Sequence, residues 1–144
     1  LYEASQAGVI VRLIVRGICV LRPGVAGLSE NISVHSIVGR FLEHSRLFYF
    51  YNDGAEDVFI SSADWMPRNL NERIELLVPV EYGPHKERIK EILRLNYEDN
   101  VNGHIMDQNG EYTYLADNRT GPAVNAQETF QQLAERAVSG PENG

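Results

Sequence analysis

The sequence predicts an α/β fold, a mixed β-sheet flanked by helices. Three observations carry this expectation. Short runs rich in β-branched and aromatic residues are bounded by Gly, Pro, Asn and Asp, as strands are. A segment beginning near Pro84 repeats apolar residues at helical spacing. A second such segment begins at Asn125. In order along the chain, residues 1–7 read as the last turns of a helix, with Gly8 as its C′ residue. Val9 to Val15 reads as a buried strand that ends at Gly17 and the Arg22-Pro23-Gly24 turn. Ile32 to Val38 is a second strand, bounded by Gly39. Arg46 to Tyr51 and Asp57 to Ser61 are strands joined by an Asn52-Asp53-Gly54 turn. Arg73 to Val80 is a further strand.

The helix from Pro84 carries Ile89, Ile92, Leu93 and Tyr97 as its apolar stripe. Lys86, Glu87, Lys90, Glu91 and Arg94 form a solvated face. His104 to Met106 and Tyr112 to Leu115 flank Asp107-Gln108-Asn109-Gly110 as a hairpin. The last helix starts at Asn125 with Glu128 three residues on, a capping-box pattern. Its buried stripe is Ala126, Phe130, Leu133, Ala134 and Ala137.

The 144 residues suit one domain, expected over 1–138, with 139–144 as a flexible tail. Because the chain opens at the end of a helix, that domain is expected to be truncated at its N-terminus. No apolar run approaches the roughly 20 residues of a membrane span, and Val9 to Val15 is broken by Arg12. A single cysteine, Cys19, excludes an internal disulfide and a multi-cysteine zinc site, and reads as a small buried hydrophobe. A cytoplasmic setting follows as the expectation.

The net charge of −7 argues against a nucleic-acid binder. The charge is uneven. Residues 1–50 carry Arg12, Arg16, Arg22, Arg40 and Arg46 against Glu3, Glu30 and Glu43, and no lysine. A positive segment built only from arginine suits bidentate recognition of phosphate or carboxylate, because guanidinium is a planar fork. Ordinary surface salt bridges are the alternative.

The densest chemical cluster is Phe41-Leu42-Glu43-His44-Ser45-Arg46, followed by Ile60-Ser61-Ser62-Ala63-Asp64-Trp65. Residues two apart on a strand share a face, so His44 and Arg46 can point into one cleft. An imidazole handles protons near neutral pH, and a guanidinium neutralises phosphoryl oxygens. The alternative for His44 is a half-buried ring bonded to backbone. Asp64 is expected to cap its loop, Pro67 to shape it, and Trp65 to pack. Arg22, Arg40, Arg46 and Arg68 are weaker candidates for phosphate contact.

These two segments resemble half of the phospholipase D superfamily pattern, His-x-Lys-x4-Asp followed by Gly-Ser-x-Asn. Arg46 replaces the lysine, Tyr51 stands at the aspartate position, and Ser61-Ser62-Ala63-Asp64 replaces the second motif. A closer resemblance is to polyphosphate kinase, a divergent member of that superfamily. It is carried by Leu13 to Cys19 with Leu21 to Gly24, by Gly27 to Ile32, by Ser36 to Arg46, by Ser61 to Leu70, and by Arg73 to Leu77. The likeness covers residues 1–80 closely and 81–138 more loosely.

The resemblance implies a phospholipase D-like half-domain at the C-terminal end of an ATP–polyphosphate phosphotransferase. The phosphorylated histidine would lie in the other half, outside this chain. His44 matches a second histidine, implied to act in proton transfer near the ATP phosphates. Arg16 matches an arginine implied to bind nucleotide phosphate. Mg2+ is implied, with its ligands outside this chain. The implied partners are ATP, ADP and inorganic polyphosphate, with a homo-oligomeric and sometimes membrane-associated parent. The competing readings are a phospholipase D-like phosphodiesterase half and a non-catalytic polyanion-binding module.

Overall fold

The computed structural model describes residues 1–139. Its elements in chain order are α1 (Tyr2–Gln6), β1 (Val11–Ile14), β2 (Ile32–Ile37), β3 (Leu47–Phe50), β4 (Asp57–Ser61), α2 (Pro67–Asn71), β5 (Leu77–Pro79), α3 (Gly83–Glu98), β6 (Gly103–Met106), β7 (Tyr112–Tyr114) and α4 (Ala126–Ser139). Single 3₁₀ turns occupy Asn52–Gly54 and Leu115–Asn118. The elements group into two compact units, one of residues 1–42 and 95–139 and one of residues 43–94.

The first unit holds a four-stranded sheet in the order β1-β2-β6-β7. β1 runs parallel to β2, whereas β6 and β7 are antiparallel to their neighbours. The sheet is therefore mixed, as expected. β2 is central, so both of its faces are covered, and Ile32, Val34, His35, Ser36 and Ile37 are all buried. β1 is an edge strand, which explains why Val9 to Val15 is half-buried or exposed rather than buried. One face of the sheet carries the core of Ile32, Val34 and Met106, against which Tyr2, Leu13, Cys19 and Leu21 pack. Cys19 is a free, half-buried thiol. The other face presents Ser33 and His35 to Tyr97, near the end of α3. The Tyr97 ring stacks on His35 at 4.1 Å, and its hydroxyl lies 2.9 Å from Ser33 Oγ. Arg12 sits over the same ring at 5.3 Å.

Asp99 ends α3 and is fully buried. Its Oδ1 accepts from the backbone N–H of Val101 at 2.9 Å and of Asn102 at 2.7 Å. Its Oδ2 accepts from Ala126 N–H at 2.8 Å, the first residue of α4. One carboxylate thus satisfies donors of the turn into β6 and of a helix N-terminus. The chain passes so close here that a Cβ on Gly103 would meet Asp99 O at 2.0 Å. Asn125 caps α4 as expected, its Oδ1 accepting from Glu128 N–H at 3.2 Å. The expected stripe on α4 is covered only at its start. Ala126 is buried and Phe130 and Leu133 are half-buried, but Ala134 and Ala137 are exposed. α4 runs through Ser139, at the head of the expected tail, and 140–144 lie outside the described residues.

The second unit holds a separate antiparallel sheet, β3-β4-β5, which the sequence did not distinguish from the first. β4 is central and its Val58 is buried. Phe48, Phe59 and Phe50 share the opposite face, where Trp65 stacks on Phe48 at 5.8 Å and stays largely exposed. The turn after β3 holds Asn52, Asp53 and Glu56 at φ of 43°, 51° and 54°. Three non-glycine residues in this region cost energy that the surroundings must offset. Glu56 supplies the offset. Its carboxylate accepts from Lys90 at 2.9 and 3.0 Å and from the Tyr49 hydroxyl at 3.0 Å. Its carbonyl accepts from Lys86 at 2.9 Å. The lysines of α3 are therefore tied to this turn, not simply solvated, while the Lys90–Glu87 and Arg88–Glu91 pairs follow the helix-face pattern.

Two outcomes are expected from this packing. Asp99→Ala leaves three backbone donors unsatisfied and should cost about 3–5 kcal/mol in denaturant unfolding. Asp99→Asn retains one acceptor and should cost less. Burial lowers the His35 pKa below 6.5, opposed by a hydrogen bond to the Tyr97 backbone. The folded state thus binds fewer protons than the unfolded state just below pH 6.5. Stability is full above that pH and falls as the pH drops toward the folded pKa. His35→Phe keeps a ring against Tyr97 and should flatten this slope in thermal melts across pH 5–8.

Candidate functional site

His44 and Arg46 lie in the loop entering β3, and Asp64 in the loop leaving β4. Backbone pairing of Ser61 N–H with Arg46 O, at 2.9 Å, brings these two loops side by side. Arg46 then makes a bidentate pair with Asp64, Nε to Oδ1 at 3.0 Å and Nη2 to Oδ2 at 3.2 Å. Its Nη1 donates to the His44 carbonyl at 3.0 Å and lies 3.0 Å from His44 Nδ1 and 3.4 Å from Nε2. The His44 ring itself is exposed. The structure thus brings together His44, Arg46 and Asp64. Asp64 grips a guanidinium where a loop cap was expected.

The hydroxyls of the same segment serve the backbone. Ser61 Oγ donates to Leu76 O at 2.9 Å and accepts from Ala63 N–H at 3.0 Å. Ser62 Oγ accepts from Leu76 N–H at 3.0 Å and donates to the Glu75 carboxylate. Glu75 also accepts from the buried Asn69 at 2.8 Å. These bonds turn Arg73–Leu76 away from a ladder, so the expected strand shortens to Leu77–Pro79. Hydrogen bonds from Ser62 first and Asn69 second hold the Glu75 carboxyl below its usual pKa. Asn69 lies on α2, a short helix with Pro67 in its first turn where the sequence suggested only a shaped loop. Neither Glu75 nor Asn69 stood out as a functional residue. Pro67 followed by Arg68-Asn69-Leu70 was the available helix signal.

The remaining candidates are distributed. Arg68 is exposed on α2. Arg16 is exposed just beyond β1 in the first unit. Arg22, also there, has its Nε bonded to Gln108 O at 2.8 Å and its backbone N–H to the Tyr2 hydroxyl at 2.9 Å. The adjoining turn is anchored by the buried Ser29, whose hydroxyl donates to Arg22 O. Arg40 lies over the Phe41 ring at 5.2 Å and is exposed. Glu43 is half-buried. Among the described residues, no group of three or more His, Cys, Asp or Glu is placed to hold a metal. Among them, too, no helix is long and apolar enough to cross a membrane.

The fold and this arrangement define an α/β domain with a carboxylate-held arginine beside an exposed histidine. Residues 1–127 match the family model of the polyphosphate kinase C-terminal domain 2, and the chain belongs to that family. A polyphosphate kinase of Halalkalibacterium halodurans is 52% identical over 136 residues, which are 94% of this chain and 19% of that protein. One of Burkholderia ambifaria is 58% identical over 113 residues, 78% of this chain and 16% of that protein. The crystal structure of polyphosphate kinase from Porphyromonas gingivalis superposes with a TM-score of 0.87 at 41% identity, covering 97% of this chain and 22% of that one. The fold is therefore that of the polyphosphate kinase phospholipase D-like half-domain. The chain spans about a fifth of the length of the relatives it matches.

The depressed Glu75 carboxyl gives a prediction for the loop. Stability from the Ser62 and Asn69 bonds is present above pH 4.5 and is lost as the pH falls through the folded pKa. Hydrogen exchange should show Leu76 losing protection over that range, and Glu75→Gln should weaken the dependence.

Proposed function

We propose that this chain is a nucleotide-phosphate-handling part of an ATP–polyphosphate phosphotransferase. That enzyme would reversibly move the terminal phosphate of ATP to inorganic polyphosphate through a phosphohistidine outside this chain. The observation that supports the reading best is an exposed His44, held by Arg46, in a chain of the polyphosphate kinase family. Phosphoryl transfer demands little covalent work from the protein, so positioning and charge neutralisation dominate. In this reading His44 meets the phosphoryl oxygens and serves proton transfer. Arg16 binds nucleotide phosphate. Arg40 and Arg68, both exposed, are further candidates for the polyanion, while Arg22 and Arg46 already hold protein acceptors.

Magnesium accompanies the nucleotide in this proposal. Its ligands are proposed to lie in the remainder of the parent. The parent is proposed to be a cytoplasmic homo-oligomer. A phosphodiesterase half is less well supported. Arg46 stands where that superfamily has lysine, and its fork is directed to Asp64.

Two outcomes are expected. This chain alone, with ATP and magnesium, should give no polyphosphate growth and no stable phosphohistidine, because one histidine half-site is present. In the parent enzyme, His44→Ala should lower kcat by about 10²–10⁴-fold with a far smaller effect on apparent ATP affinity. Arg16→Ala should raise the KM for ATP and also slow turnover, because a guanidinium at a phosphate acts in both ground and transition states. Arg16→Lys should restore only part, since a point charge cannot reproduce a fork. Steady-state kinetics with circular dichroism as a fold control checks both. Wild-type turnover in His44→Ala would remove its assigned role.

A further inference from the structure

Gln127, the second residue of α4, is buried although its side chain is a polar amide. That amide meets one backbone residue twice. Oε1 accepts from the Phe41 N–H at 3.0 Å, and Nε2 donates to the Phe41 carbonyl at 2.7 Å. A backbone N–H can meet only the amide oxygen, and a carbonyl only the amide nitrogen, so these partners set the orientation of the amide. The pair copies the exchange of bonds between opposed residues of antiparallel strands. Phe41 lies in the irregular segment between β2 and β3, and Gln127 supplies what a neighbouring strand would otherwise give.

The clamp is itself anchored. The first residue of α4, Ala126, donates its N–H to the buried Asp99. Gly39 leaves room for the amide, since a Cβ there would stand 2.5 Å from Gln127 Oε1 and 2.9 Å from its Cδ. On the other side of Gly39, Val38 N–H donates to Asn102 O at 3.1 Å, and Asn102 N–H is bonded to Asp99. Arg40 therefore lies in a two-residue span between held points, Val38 and Phe41. The N–H that Gln127 holds belongs to the Arg40–Phe41 peptide unit, so the backbone from which Arg40 departs is fixed. Its exposed guanidinium lies over the exposed Phe41 ring at 5.2 Å. A cation already held on a ring gives up less freedom on binding than a free one.

We propose that Gln127 is a positioning residue: by holding Phe41 at both of its peptide groups it presents the Arg40 guanidinium to a phosphate of the polyanionic substrate. This deepens the phosphotransferase reading and rests on it for its kinetic consequence. His44 serves the transferred phosphoryl group in that reading, which leaves Arg40 a phosphate whose bonds do not change. Loss of such uniform binding raises KM and spares kcat. Gln127 touches no substrate and acts through the backbone of Phe41.

The test has two arms. In the first, hydrogen exchange on this chain reads the Phe41 amide. It should be protected in the native chain and lose most of that protection in Gln127→Ala, with the Val101 and Asn102 amides unchanged. Gly39→Ala is the companion variant should Gln127→Ala fail to fold. Its methyl displaces only the end of a flexible side chain, so the clamp opens and the fold stays. An exposed Phe41 amide in the native chain, or unchanged protection in both variants, overturns the proposal.

In the second arm, the parent enzyme is assayed with KM for ATP and for polyphosphate measured separately. Arg40→Ala should raise one of the two by about 10-fold or more, the scale of a lost charge-assisted bond. Gln127→Ala and Gly39→Ala should raise that same KM by about 3- to 10-fold, with kcat within about twofold of native. The Gln127→Ala/Arg40→Ala double variant should be no worse than Arg40→Ala alone, because both act through one contact. Additive effects, a fall in kcat at native KM, or native KM values in Arg40→Ala refute the positioning role and leave the phosphotransferase reading standing. Absence of ATP–polyphosphate transfer in the native parent refutes that reading, and the role of Arg40 with it.

Discussion

The buried carboxylate of Asp99 is the constraint on which the first unit most depends. It receives three backbone hydrogen bonds from two separate segments, Val101–Asn102 and Ala126. A chain leaving a long helix must turn sharply to enter β6, and the start of α4 must lie within hydrogen-bonding reach of that turn. A side chain with two acceptor oxygens meets both demands at once. Gly103 is the steric counterpart, since any side chain there would collide with the Asp99 carbonyl. Once α3 is stopped at Asp99, Tyr97 is placed over the sheet, where it covers Ser33 and His35.

The second unit uses the same device at smaller scale. Glu56 gathers Lys86, Lys90 and Tyr49 onto a turn with three positive-φ residues. Glu75 gathers Ser62 and Asn69. Asp64 gathers Arg46, and through it His44. Each carboxylate accepts from side chains outside its own loop, which gives irregular segments a defined shape without a large core. Loops carry function when a rigid frame holds them, and here the frame around His44 is a hydrogen-bonded one.

Much of the fold was legible in the sequence. β4 matches its expected bounds, β2 ends one residue early, α3 begins within a residue of Pro84, and Gly8 takes the left-handed conformation expected after α1. These features rest on local periodicity and on backbone preferences that a short window encodes. The family, too, was legible, because long strings such as Ser36 to Arg46 stand in order. What the sequence alone could not settle were relations across distance. The division into two sheets, the edge position of β1 and the loss of cover along the second half of α4 depend on which surfaces meet. The shortening of β5 arises because Glu75 finds Ser62 and Asn69. The sequence placed His44 and Arg46 two residues apart and marked them as chemistry. Only the fold brought Asp64, eighteen residues further on, against Arg46 and so decided which groups the guanidinium holds. Spacing along a strand is a local property. A bidentate pair between two loops is set by the pairing of the strands that carry them.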